Sequence, residues 1–449
     1  MCSSPQLPDC VYSDKPILVK PCSSTPNHSL YLSNLDDYDF LRFSVKLIFL
    51  FNKSVTTDRL KASLSRVLVD YYPFAGRLKV SPENDDKFVV DCNGEGVVFA
   101  EGYMDLTAQQ FIQIFDKPNK SWWKLLCKLD APTFLDIPPL VIQVTNLRCG
   151  AVILCIAVHH FLSDGMGTSQ FMHAWAHLTR NPGMDLPITP VHFRHVFKSR
   201  NPPQVTFSHP TFTKSEPKKD GIPQKALNIL QYLRSQAPLI SVSLTFTAGH
   251  ILHLKKQCEP LLKCTSFEAL ASHTWRCWVK ALDLPPLATI KLLFSASVRK
   301  AFDSELPHGY YGNGFVLACA EATVKDVADA NLHGTVKMVQ NAKSSLTEEY
   351  VRSMIDYLED KTVKTDLCSS FVITQVSKLG FEELDFGEGK PLQMGPLVSS
   401  IYCMFLPVIG DRDAVRVVLS MPESTVSNFK NYMMEHGGHN TYDENKNIN

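Results

Sequence analysis

The amino-acid sequence predicts an α/β protein of two domains, and three features carry that expectation. The chain has 449 residues, which is more than one ordinary hydrophobic core accommodates. Its apolar segments switch repeatedly between strand-like runs and helical spacing. Between two halves of this mixed texture lies a stretch too rich in proline for long regular elements.

The first half is taken as residues 1–180. Leu47–Phe51 reads as a buried strand and Asn52–Thr57 as a turn. Asp58 is placed to cap a helix through Asp70, with Leu60, Leu64, Val67 and Leu68 at helical spacing. Lys87–Val90 and Val97–Ala100 suggest a short hairpin around Asn93–Gly94. Leu140–Leu147 and Ala151–His159, both apolar and β-branched, form a second hairpin about Gly150. A helix then follows over Gly165–Leu178.

Residues 181–224 carry prolines at 182, 187, 190, 202, 203, 210, 217 and 223, and a charged patch at Lys218–Asp220. This composition suits a crossover between domains. In the second half, 225–449, Thr247–Cys258, Ser266–Leu282 and most of Asp326–Tyr357 are expected to be helical, and Ala288–Val298 and Ala414–Met421 to be strands. No fixed-period repeat is visible, which excludes a solenoid.

Composition narrows the function. Apolar residues make up 45%, charged residues 20%, and formal net charge is zero. A nucleic-acid partner would show as a basic excess, so none is expected. The thirteen cysteines are scattered without CxxC pairs and are expected to be reduced thiols in the core. MCSSPQLPDCVYSDKP lacks the charged and apolar regions of a secretory signal, and the runs Val45–Phe51 and Val152–Val158 are too short to span a bilayer. A cytoplasmic monomer without a membrane span is the expectation.

One segment points to chemistry: HHFLSDG at 159–165. A strand end projects a side chain from a rigid support, and a neutral imidazole of pKa ~6.5 accepts a proton at neutral pH. His160 is therefore a candidate general base, with Asp164 and Gly165 turning the chain into the helix. Alternatively, both histidines are ordinary strand-end residues and Asp164 is a helix cap. His173 and His177 have the i, i+4 spacing of zinc ligands, but Ala174 replaces the glutamate of a zinc protease and no third ligand is evident, so no metal is expected. Asp385-Phe386-Gly387 lacks the other kinase segments, Gly312-Asn313-Gly314 is too short for a dinucleotide fingerprint, and no GxSxG elbow is present.

The order of several segments is more telling than any one. YPFAGRL at 72–78 precedes HHFLSDG, and TSFEALASHTWR at 265–276, YGN at 311–313 and DFGEGKP at 385–391 follow. Together they resemble the plant BAHD acyltransferases over nearly the whole chain. The resemblance implies two similarly built domains of the chloramphenicol-acetyltransferase-like type, with a channel at their interface. It implies acyl-CoA as co-substrate, no permanently bound cofactor, and direct acyl transfer with His160 as base. Asp164 would pair with Arg299, Gly165 would leave room for substrates beside the histidine, and Asp385 and Gly387 would shape the fold. Thr265 and Ser266 would lie on the CoA side.

The sequence departs from the family at Glu388, where DFGWG has tryptophan. Glu388 is either a solvated loop residue or a group near the acceptor channel that favours a cationic acceptor. NHSLYLSNLDDYDFLRFSVKLIFLF at 27–51 is similar to transferases of hydroxycinnamoyl groups to long-chain alcohols and ω-hydroxy acids. An aromatic acyl group, hydroxycinnamoyl or benzoyl, is thus expected to pass from CoA to the hydroxyl of a long-chain or specialised-metabolite alcohol. An amine or amine-bearing alkaloid acceptor, and a non-catalytic ligand-binding relative, are the alternatives.

Overall fold

A computed structural model describes residues 5–214, 228–236, 238–302, 304, 306–398 and 401–435. Two large sheets organise the chain. The first runs Cys10–Tyr12, Val97–Met104, Leu140–Leu147, Val152–His159, Ser44–Phe51 and Gln393–Pro396, with Ile17–Val19 also on Val97–Met104. The strand Val152–His159 lies inside this sheet and is buried at every position. Val152, Leu154, Ile156 and Val158 meet Leu64, Trp175 and the other residues of one core. Ile153, Cys155 and Ala157 meet Phe111, Phe115 and Trp122 on the opposite face. Burial on both faces is why this strand reads as an unbroken apolar run.

The hairpin Leu140–Leu147/Val152–His159 forms as expected, in antiparallel register from Leu140↔Val158 to Asn146↔Val152. Gly150 takes the left-handed φ of 85° that its turn requires. The second expected hairpin does not form. Phe88–Asp91 pairs with Arg77–Val80 and Ser29–Tyr31 in a separate three-stranded sheet. Val97–Met104 instead runs parallel to Leu140–Leu147. Gly94 and Gly96, at φ of 66° and 100°, turn the chain out of one sheet and into the other. The first long helix, Thr57–Asp70, is capped by Thr56, whose hydroxyl accepts from the Arg59 amide, rather than by Asp58.

The second sheet has the order Leu239–Phe246, Asp411–Pro422, Cys403–Val408, Ser370–Gln375, Thr289–Ser297 and Phe315–Thr323. The helix Ser266–Leu282 packs on it, burying Trp275 and Trp278, and Trp278 stacks on Phe371 with ring centroids 4.5 Å apart. Three further helices, Val324–Asp329, Leu332–Ser344 and Glu348–Tyr357, occupy the expected helical stretch.

The halves are interleaved. Gln393–Pro396 completes the edge of the first sheet against Leu47–Leu50. Phe212–Lys214 of the proline-rich stretch pairs with Val363–Thr365. Pro217, Pro223 and the patch Lys218–Asp220 lie outside the described residues. Arg416 of the second sheet donates to the Met394 carbonyl at 2.5 Å and pairs with Asp116 at 3.1 Å. Among the described residues, no helix is long and apolar enough to cross a membrane.

Candidate active site

His160 directly follows the strand Val152–His159, and its amide donates to the Phe43 carbonyl at 3.0 Å. Its ring lies between Phe43 and Phe315, with centroids 5.4 and 5.6 Å away. The residue is half-buried rather than enclosed.

The orientation of the ring is set from outside its own segment. His160 Nδ1 lies 3.0 Å from Asn313 Oδ1. The other end of that amide, Nδ2, donates to the His160 carbonyl at 2.8 Å and to Asp36 Oδ1 at 2.9 Å. Those two partners only accept, so they fix the nitrogen end of Asn313 and turn its oxygen toward the imidazole. An accepting oxygen requires the proton on Nδ1. Nε2 is then the basic nitrogen.

Asp36 is held as firmly. It accepts from the Asn313 amide at 3.1 Å, from Ser33 Oγ at 2.6 Å and from Arg194 Nη1 at 3.2 Å. Arg194 is 1% exposed; its Nη2 donates to the Leu162 carbonyl at 2.8 Å, and its guanidinium lies 4.8 Å from the Tyr311 ring centroid. Burial pulls the His160 pKa below its ordinary 6.5, against the opposing effects of Asp164, the Asn313 hydrogen bond and Asp36. The base therefore stays neutral into mildly acidic solution.

Asp164 serves the frame of the site. Arg299 Nη1 and Nη2 reach its two oxygens at 2.7 and 3.0 Å, a bidentate pair. The same carboxylate accepts from the Gly314 amide at 3.0 Å and caps the helix Gly165–Arg180 through the Gly167 amide at 2.9 Å. Burial acts to raise its pKa, but Arg299 and these amides prevail and hold it below the usual carboxylate range. Arg299 also donates to the Gly312 carbonyl at 2.8 Å. One ion pair thus joins the helix start to the 312–314 segment that carries Asn313.

His159 has no open side. It stacks on Phe134 at 5.4 Å, and burial depresses its pKa to about 3. His173 and His177 reach separate backbone carbonyls, of Gly380 and Asp185.

The glycine and loop positions named from the sequence are placed as follows. Beside Gly165 stands Leu379, 2.6 Å from where a Cβ would lie. The tighter position is Gly167, where a Cβ would fall 1.7 Å from the Tyr311 carbonyl oxygen. The loop 385–391 lies at the other end of the sheet: Glu388 lines a small hollow with Phe51, Lys53 and Ser54. His160 follows the strand whose end pairs with Ser44. Seven strand steps separate Ser44 from Phe51, about 23 Å. Glu388 is exposed there, as a solvated loop residue would be. Asp385 accepts from the Gly387 and Gly389 amides at 2.7 and 3.0 Å, closing its own turn. Phe386 packs on Trp175 at 4.9 Å.

Thr265 and Ser266 open the helix Ser266–Leu282 on an exposed surface. Thr265 Oγ1 accepts from the Glu268 amide at 3.2 Å, and Glu268 accepts from the Thr265 amide at 3.0 Å.

The structure thus brings together a strand-end histidine with a locked tautomer and an aspartate–arginine pair that joins two interleaved α/β halves. The profile of the Transferase family matches residues 12–436, and the chain belongs to that family, as a BAHD acyltransferase. It is an acyl-CoA-dependent O-acyltransferase. Among its relatives, the omega-hydroxypalmitate O-feruloyl transferase of Arabidopsis thaliana is 34% identical, over 95% of this chain and 93% of that protein. The fatty alcohol:caffeoyl-CoA acyltransferase of the same plant is 35% identical, over 93% and 97%. The benzyl alcohol O-benzoyltransferase of Nicotiana tabacum is 33% identical, over 93% and 92%. In fold, the crystal structure of vinorine synthase superposes with a TM-score of 0.69 at 18% identity, covering 94% of this chain and 98% of that one. F. graminearum TRI101 complexed with coenzyme A and T-2 mycotoxin gives 0.71 at 14%, covering 90% and 97%.

Sequence reasoning reached His160, Asp164 and Arg299, but gave no role to Asn313, Asp36, Arg194 or Gly167. Asn313 stands within the YGN segment and Asp36 within the 27–51 stretch, so both lay inside recognised signatures. Arg194 was hidden in the proline-rich region.

Proposed function

We propose that the protein transfers an aromatic acyl group, hydroxycinnamoyl or benzoyl, from CoA to the hydroxyl of a long-chain or benzyl-type alcohol. The observation that carries the chemistry is the Asn313–His160 contact at 3.0 Å, which leaves Nε2 as the proton acceptor. Nε2 removes the alcohol proton as the oxygen attacks the thioester carbonyl. The tetrahedral intermediate then expels the CoA thiolate, and that sulfur recovers the proton from His160. No enzyme–acyl bond forms. Catalysis combines general-base action with the positioning of two substrates.

The aromatic donor is supported by the feruloyl, caffeoyl and benzoyl groups that the relatives' names carry, and by the phenylalanine rings on both sides of His160. Thr265 and Ser266 are proposed to face the CoA, since amides at the start of a long helix attract phosphate.

A screen of aromatic acyl-CoAs against primary alcohols, following thiol release and identifying the ester, tests this reading. The expected result is ester formation from an aromatic thioester. CoA binding without turnover of any donor–acceptor pair would make the protein a non-catalytic relative. His160→Ala is expected to lose ~100- to 10,000-fold in kcat, and full retention of activity would defeat the mechanism.

A further inference from the structure

A cavity of about 730 Å³ opens on the face of the first sheet that carries Ser44, Lys46 and Ala157. Its approach to the reaction centre is at Ser44, the ladder partner of His159, which directly precedes His160. Lys46 follows Ser44 by two residues on the same face, ~7 Å further along the strand. Trp123, Leu126, Leu129, Ile137, Val141 and Ala157 supply apolar wall, and Trp123, 47% exposed, stands at the rim.

The lysines lining this space differ in their partners. Lys124 is paired with Asp9 at 2.7 Å, and Lys128 with Asp130 at 2.9 Å. Lys46 has neither arrangement. Its Nζ donates to the Ser44 carbonyl at 3.2 Å and lies 5.5 Å from the Trp123 ring centroid. Among the described residues, no carboxylate is within ion-pair distance of it. It is half-buried, and burial holds its ammonium below the ordinary lysine range. A cation partly removed from water, beside an apolar cavity and without a counter-ion, is a site for a complementary anion.

We propose that this cavity binds a substrate segment that is apolar along its length and ends in a carboxylate, which Lys46 Nζ receives. The inference rests on the acyl-transfer reading above, which makes His160, at the strand end where the cavity begins, the reacting centre. The carboxylate stands several bonds from the reacting carbon or oxygen. It belongs either to a hydroxy-acid acceptor or to the thioester of a dicarboxylic acid, and both present the same chemistry to Lys46.

The test measures kcat/KM for matched pairs in two arms. In the first, an ω-hydroxy fatty acid is compared with the primary alcohol of equal length, using one aromatic acyl-CoA. In the second, a dicarboxylic mono-CoA thioester is compared with its uncharged analogue, using one alcohol. Wild type is expected to favour the carboxylate-bearing member in one arm, and that arm identifies the source. Lys46→Met is expected to lower the charged-to-neutral ratio in that arm ~10- to 100-fold, and Lys46→Arg to restore most of it. A wild-type ratio near unity in both arms, which requires no variant, would overturn the proposal. So would an unchanged ratio in Lys46→Met. If the neutral pairs in wild type also give no ester, the acyl-transfer reading itself has failed.

Discussion

Asn313 does for His160 what a carboxylate does in many general-base pairs: it holds one ring nitrogen protonated so that the other is free. It adds no formal charge while doing so. The acid limb of kcat/KM should therefore lie below pH 6.5, since burial lowers the His160 pKa and the base is neutral above that lowered value. Asn313→Ala removes a contact that raises this pKa, so the limb should move further toward acid while kcat falls ~10- to 100-fold. A pH–rate profile of both proteins checks the pair of effects. A fall in kcat with the limb unmoved would leave Asn313 a purely structural residue. His160 was legible from sequence because its strand, turn and helix are contiguous. Asn313, Asp36 and Arg194 were not, because the hydrogen bonds that join them span from 153 to 277 residues of chain.

At the scale of elements, the helix Gly165–Arg180 and the segment 310–314 approach backbone to backbone at Gly167, against the Tyr311 carbonyl. Gly167→Ala places a methyl where a main-chain oxygen already is, and neither side has a flexible end to yield. A loss of roughly 3 kcal/mol or more in urea unfolding is expected, with a matching drop in turnover as Asn313 moves from His160. Gly165→Ala meets only the Leu379 side chain and should cost less. The hairpin over 140–159 was readable because adjacent strands joined by a glycine turn need no outside information. The misplaced hairpin at 87–100 shows the converse. Its Asn93–Gly94 pair looked like a tight turn, yet the positive φ values of Gly94 and Gly96 send the strands to different partners. The interleaved strands Gln393–Pro396 and Phe212–Lys214 are too short to carry a period of their own.

At the scale of the molecule, Glu359 ties separate regions together. Lys87 lies 2.7 Å from one carboxylate oxygen, and Asn34 and Ser199 donate to the other at 2.8 and 2.7 Å. Burial opposes ionisation there, but these donors prevail and lower its pKa from 4.5 to about 2. A depressed folded-state value means that the stabilisation is complete above pH 4.5 and is lost as pH falls toward 2. Glu359→Gln should be less stable than wild type at pH 7, with the difference shrinking between those limits, as thermal unfolding across that range would record. A constant difference would show that the carboxylate's charge plays no part.

The strand Gln393–Pro396 also sets a timetable for biosynthesis. Until it arrives, the hydrogen-bonding edge of Ser44–Phe51 faces outward, and this is an apolar strand of the kind that pairs with other chains. Nearly the entire polypeptide must leave the ribosome before that edge is covered. The nascent first half is thus a natural client for chaperones during synthesis. For the same reason the two halves made as separate polypeptides should become soluble together when co-expressed, while the first half alone should aggregate.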